Sequence, residues 1–147
     1  MIIIRTATSH DEPAIAQLLA DYHMVPPDFS YPAFWWVATD AHSGVVATIG
    51  AERASHAWLL RSAVVTTAYR GQGIGKKLTN TLINHALEQS ISKIYCFSTD
   101  AGAYWQSHRF YEVPVPQLLT DCAGCAQIDQ FAQLGWLPTE VAWCYTH

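Results

Sequence analysis

At 147 residues, half of them hydrophobic and 14% charged, the chain can bury one sizeable core, is too short for two ordinary domains and is too apolar to stay disordered. A formal charge of −4 with only eight Lys and Arg excludes the broad basic face of a general nucleic-acid binder, so any phosphate site must be local. No window approaches the run of roughly 18 apolar residues that a membrane helix needs, and Met1 to Arg5 is too short for a signal peptide, so a cytoplasmic protein acting off the membrane is expected.

The β-branched run Ile2 to Thr6 predicts a strand, and Ser9 to Glu12 starts a helix that carries Ile15, Leu18, Leu19 and Tyr22 at helical spacing. Three prolines between Met24 and Ala33 make an aromatic loop. Phe34 to Thr39, Gly44 to Glu52 and Trp58 to Val65 read as a three-strand antiparallel meander, the first two joined by the turn residues Asp40 to Gly44. From Ile74 an apolar stripe through Leu78, Leu82 and Ala86 predicts a helix of about four turns. Lys93 to Phe97 is a strand after it. A strand, a crossover helix and a strand form a right-handed unit, so the strands ending near Val65 and Phe97 should be parallel neighbours. A helix over Gly102 to His108, a strand over Phe110 to Val113, a helix including Gln127 to Leu134 and a last strand over Thr139 to Tyr145 complete an α/β reading of residues 1–147 as one domain.

Chemistry concentrates in Val64-Val-Thr-Thr-Ala-Tyr-Arg-Gly-Gln-Gly-Ile-Gly-Lys76, a glycine-rich turn between a buried strand and an amphipathic helix. The first N–H groups of a helix lack internal partners and sit at the positive end of its dipole, so they can bind a phosphate. Glycine lets that backbone come close, although such turns also occur for packing alone. A Rossmann site fails because Gly71, Gly73 and Gly75 have the wrong spacing, and a Walker loop fails for lack of Gly-Lys-Ser/Thr. Cys122-Ala-Gly-Cys125 has no second half of a zinc site, so no metal is expected and the thiols read as ordinary and reduced.

The stretch Leu60 to Leu78 resembles the acetyl-CoA signature of the GNAT acetyltransferases, Arg/Gln-x-x-Gly-x-Gly/Ala, with Arg70, Gly73 and Gly75 on its fixed positions. Gly50-Ala-Glu52 before Ala57-Trp-Leu-Leu-Arg-Ser62 is similar to a subgroup associated with arsenic resistance. The resemblance implies a GNAT-like fold: a mixed, mostly antiparallel sheet, flanked by helices, whose central parallel pair splays after Val65 and Phe97. It implies acetyl-CoA as cosubstrate, its pantetheine arm along the main chain of Val64 and Val65, and its pyrophosphate on Arg70, Gly71, Gln72, Gly73, Ile74 and Gly75 with Lys76 nearby. The Val65 N–H would then stabilise the oxyanion. The implied reaction is transfer of the acetyl group to an amine acceptor by direct attack; the other reading is a CoA-binding sensor or interaction module without turnover. A homodimer is left open.

The sequence departs from the family at the acid and base. The central strand has no carboxylate, so Glu52 is the nearest base candidate, beside its plainer reading as a solvated strand-end residue, with His56 and His108 behind it. Trp105 falls where the family places an acidic tyrosine, leaving Tyr104 or Tyr111 to substitute or the thiolate to leave unprotonated. Phe29, Tyr31, Trp35 and Trp58 are expected to wall the acceptor.

Overall fold

In a computed structural model, which describes residues 1–146, β1 (Ile2–Thr6) leads through a 3-10 turn, Ser9–Asp11, into α1 (Glu12–Asp21). The Asp11 carboxylate fixes that entry by accepting the Thr8 N–H at 2.7 Å and two Arg5 donors at 2.7 and 2.9 Å. The meander follows as β2 (Ala33–Asp40), β3 (Gly44–Arg53) and β4 (Ala57–Val65), and then α2 (Ile74–Glu88) crosses to β5 (Lys93–Phe97). The chain ends with α3 (Gly102–Ser107), β6 (Phe110–Val113), α4 (Val115–Asp121), α5 (Ala126–Gln133) and β7 (Ala142–Thr146). The strands form one sheet in the order β1-β2-β3-β4-β5-β7-β6, with β4 and β5 its parallel pair.

Both faces of the sheet are covered. The stripe of α2, Ile74, Leu78, Leu82, Ile83 and Ala86, packs on Trp36, Trp58, Leu60 and Ile94, and each fully buried leucine of that kind stabilises the fold by about 2 kcal/mol. On the other face, Ile15, Leu18 and Leu19 of α1 meet Val37 and Val64, while Leu118, Cys122 and Cys125 cover Leu59, Tyr95 and Cys144.

Three expectations change. The last strand starts at Ala142 instead of Thr139, because Leu137–Thr139 is a 3-10 turn with Pro138 in it. The helix α4 has no counterpart in the sequence reading: seven residues are too few to show a period, yet Pro116 suits a first turn and Leu118 is fully buried. The parallel pairing runs from Ala57/Lys93 to Leu59/Tyr95 and stops, so the strands part well before Val65.

A bulge accompanies that parting. Thr48 pairs with Val64 but Gly50 pairs with Arg61, so β4 holds one extra residue, and Ser62 takes the left-handed conformation with φ +59°. Such bulges bend a strand and re-aim its side chains. Beside it, a Cβ on Gly50 would lie 2.7 Å from the ring of Trp35, its cross-strand partner. Gly50→Ala should therefore displace Trp35 and destabilise the fold by about 1–3 kcal/mol, read as a lower denaturant midpoint.

Candidate active site

The glycine turn is formed and held from several sides. After β4, a 3-10 turn over Thr67–Tyr69 leads to Gly71 and Gly73, with φ +81° and +77°, and Gly73 caps α2. A Cβ on either glycine meets nothing within 4 Å, so these residues are needed for their left-handed backbone, and open space lies in front of them. The first bond of the helix runs from the Lys77 N–H to the Gly73 carbonyl at 3.0 Å, leaving the amides before it for a ligand. The Thr67 N–H donates to the Tyr22 hydroxyl at 2.8 Å, Tyr69 donates to Asp40, and the Arg70 guanidinium lies 5.5 Å from the centre of the Tyr22 ring. Of the residues assigned to the cofactor, Ile74 is 4% exposed, so it offers only its backbone. Arg70, Gly71, Gln72, Gly73 and Lys76 are exposed.

Where β4 and β5 part, a slot of about 550 Å³ opens, lined among others by Val64, Val65, Arg70, Gly75, Tyr104 and Trp105. The Thr66 N–H bonds to the Val46 carbonyl, and bonded pairs alternate along an antiparallel ladder. The N–H and C=O of Val65 therefore turn away from β3, toward the side that β5 has left. The carbonyl of Val65 accepts Arg70 Nε at 3.0 Å. Gly75 sits at a narrowing: its Cβ would stand 3.6 Å from Val65 and 3.7 Å from the Tyr104 hydroxyl. That hydroxyl lies 2.9 Å from Thr79 Oγ1, which itself donates to the Gly75 carbonyl, and burial raises the Tyr104 pKa.

A second cavity, of about 300 Å³, shares Ala63, Ala101 and Trp105 with the slot. Met24, Phe97 and Phe131 give it apolar walls, and Arg61, Asp100, Gln127 and Glu140 give it polar ones. Burial, and then the Asp100 charge, push the Glu140 carboxyl above its ordinary pKa. Trp105 at the junction is 6% exposed, and among the described residues its Nε1–H has no hydrogen-bond partner.

Glu52 is not the solvated strand-end residue of the plainer expectation. It is 2% exposed and lines neither cavity, because its two oxygens are taken by Arg61 Nη1 at 3.3 Å and the Gln127 N–H at 3.0 Å. The expected aromatic wall also divides. Phe29 and Trp35 stack edge to face and border a separate hollow with Tyr31, whereas Trp58 lies on the opposite face of the sheet, against Phe34 and His85. His56 and His108 border other surface hollows, and burial lowers the His108 pKa. The sequence reading missed Arg61, Asp100, Gln127 and Glu140. The signal for Arg61 was present, a single charge inside the apolar run Trp58 to Val65.

Among the described residues, no group of three or more His, Cys, Asp or Glu is placed to hold a metal, and no helix is long and apolar enough to cross a membrane. The family model for acetyltransferases of the GNAT family matches residues 4–113. No curated protein sequence matches significantly. Solved structures share the fold. A GNAT-family acetyltransferase from Staphylococcus aureus Mu50 is 18% identical with a TM-score of 0.76, each chain covered to 99%. The Mycobacterium tuberculosis protein Rv2747, solved with CoA, gives the same identity, coverage and TM-score. N-acetylglutamate synthase from Neisseria gonorrhoeae, complexed with coenzyme A and N-acetyl-glutamate, is 16% identical with a TM-score of 0.78 over 99% of this chain and 35% of its own.

Proposed function

Because this chain belongs to the acetyltransferase (GNAT) family, we propose that it transfers an acetyl group from acetyl-CoA to an amine by direct attack. One observation carries the reading: a single slot runs from the glycine turn, past the turned-out backbone of Val65, to a junction with a second cavity. The Arg70 N–H is taken by the Thr67 carbonyl at 3.3 Å, so in this reading the pyrophosphate rests on the amides of residues 71–76, and the pantetheine arm replaces the missing β5 ladder beside Val65 as an added strand would. The Val64 backbone, expected to pair with the arm, is instead committed to the β3 ladder opposite Thr48, and its side chain packs on α1. The thioester then reaches Ala63 and Ala101, with the Val65 N–H placed toward the developing oxyanion.

An alkyl ammonium has a pKa near ~10.4 and must lose a proton before it attacks. Glu52 is fully engaged in its buried pair, so we assign the acceptance of that proton to Glu140, in the acceptor cavity. The neutral amine adds to the thioester carbon, the oxyanion collapses with cleavage of the C–S bond to release CoA thiolate, and the acylated nitrogen gives up its second proton to water. Tyr104, the ionisable hydroxyl of the slot, keeps its proton at neutral pH and is the donor we assign to that thiolate. Trp105 shapes the wall between the two cavities.

The test joins calorimetry of acetyl-CoA binding to a thiol-release screen of amines. Binding with turnover is the expected result; binding without turnover across a broad panel would favour the sensor reading. On a confirmed acceptor, kcat/KM should rise with pH as Glu140 loses its proton, at a pH above the ordinary carboxylate value of ~4.3, because the basic form is the active one. Glu140→Gln should remove that lower limb and leave the limb set by the amine. An unchanged lower limb would take Glu140 out of the reaction.

A further inference from the structure

Two poles of opposite charge bracket the junction between the cavities. On one side β4 places Arg61 and Ser62 immediately before Ala63, and on the other the segment after β5 places Asp100 immediately before Ala101. Ala63 and Ala101 are walls shared with the slot, so a molecule that reaches the thioester from the acceptor cavity passes between the poles. Glu140 reinforces the acidic pole, since the pairing of Phe97 with Ala142 brings its segment beside Asp100.

The basic pole has capacity to spare. Arg61 is 2% exposed, and a guanidinium keeps its charge in proteins. Its Nε donates to Ser62 Oγ at 3.1 Å, its Nη1 to Gln130 Oε1 at 2.9 Å and Glu52 Oε2 at 3.3 Å, and its Nη2 to the Val25 carbonyl at 3.3 Å. Those are four bonds for five N–H groups, and Glu52 takes only one of them, at long range, instead of closing a bidentate fork. Glu52 is also shared: its other oxygen sits on the N-terminal turn of α5, whose dipole offsets part of its charge. A buried ion pair made only for structure would be closed by packing on both partners, whereas Arg61, unlike Glu52, borders a cavity. The same cavity is lined by Gln127, 7% exposed, whose Oε1 has no partner among the described residues. One end thus offers an unfilled N–H donor, and the remainder offers unfilled oxygen acceptors.

Resting on the acetyltransferase reading above, we propose that the acceptor is a small zwitterion, a primary amine that carries a carboxylate-type anion. The anion docks at Arg61 and Ser62, and the ammonium is held by Asp100, Glu140 and Gln127 facing the thioester. Proton transfer from ammonium to Glu140 then precedes attack, N–C bond formation, departure of the thiolate and loss of the second nitrogen proton to water. A volume of about 300 Å³ suits a molecule of amino-acid size. An uncharged amide or a simple alkyl amine would leave the basic pole unmatched.

The experiment compares free amino acids with their own amides and decarboxylated amines, using acetyl-CoA and thiol release. The best amino acid should exceed its amide and its amine in kcat/KM by at least about 30-fold, as expected when a hydrogen bond to a charged group is lost. Ratios within about threefold, or a preference for the decarboxylated amines, would overturn the proposal. Arg61→Lys keeps a charge beside Glu52 but loses the fork, so KM for the amino acid should rise about 10-fold or more while acetyl-CoA affinity stays unchanged. Should that variant fail to fold by circular dichroism, the wild-type ratios decide alone. With acetyl-CoA bound and no turnover on any acceptor, calorimetry of amino acids on the CoA-loaded protein decides: binding supports the zwitterion site and its absence overturns it. Failure to bind acetyl-CoA at all would instead refute the acetyltransferase reading, and this proposal with it.

Discussion

Gly73→Glu should weaken acetyl-CoA binding by more than about 100-fold while leaving the protein folded. Gly73 has φ +77° at the cap of α2, and a Cβ there meets no protein atom within 4 Å, so a new side chain projects into the space where the pyrophosphate is proposed to lie. The left-handed backbone costs an L-residue about 1–2 kcal/mol, which lowers stability without preventing folding. The larger effect is on the ligand. A carboxylate some 4 Å from a phosphate oxygen repels it by about 4 kcal/mol at the effective dielectric of a protein surface, and it also blocks the helix amides. In wild type, acetyl-CoA at 100 times its Kd should stabilise the fold by about 2.7 kcal/mol and raise Tm; in Gly73→Glu that shift should vanish. Gly73→Asn is the control, since asparagine tolerates the left-handed region and adds no charge, so only the steric part of the loss should remain and its affinity should fall by less than that of Gly73→Glu. Equal calorimetric affinity in Gly73→Glu and wild type would move the phosphate site away from this turn.

What the sequence made legible follows from the range of the interaction involved. Elements with a clear local pattern, the apolar strand Lys93–Phe97 and the helix from Ile74 that bonds within itself, appear where periodicity and turn residues put them. The glycine turn was equally legible, because left-handed backbone and free helix amides are properties of a few consecutive residues. The face on which Trp58 lies was not, because the bulge at Ser62 adds a residue to β4 and only the register with β3 fixes the alternation. Nor were the acidic pole and the buried pair legible. Asp100 and Glu140 are 40 positions apart in the chain and converge only because β5 pairs with β7, and Glu52 meets Gln127 only once α5 packs on the meander. The parting of β4 from β5 is likewise a statement about pairing, which no single strand encodes.

Glu52→Gln should cost about 3 kcal/mol of stability or more, and this result separates its two readings. The carboxylate faces a guanidinium that is 2% exposed and accepts the Gln127 N–H at the start of α5. Removing one partner of a buried ion pair typically costs about 3–5 kcal/mol, because the remaining charge stays desolvated and uncompensated. Glutamine keeps the volume and one acceptor oxygen for Gln127, so the cost should fall at the lower end. In a chain of this size each kcal/mol shifts Tm by about 2–4 °C, which puts the expected fall at roughly 6–12 °C. A second substitution, Arg61→Met, removes the stranded charge, so the double variant should be more stable than additivity of the single changes allows. A glutamate acting as the catalytic base would behave differently: Glu52→Gln would leave Tm unchanged and remove a limb of the pH–rate profile. That outcome would return the proton acceptor to Glu52 and reduce its contact with Arg61 to an incidental one.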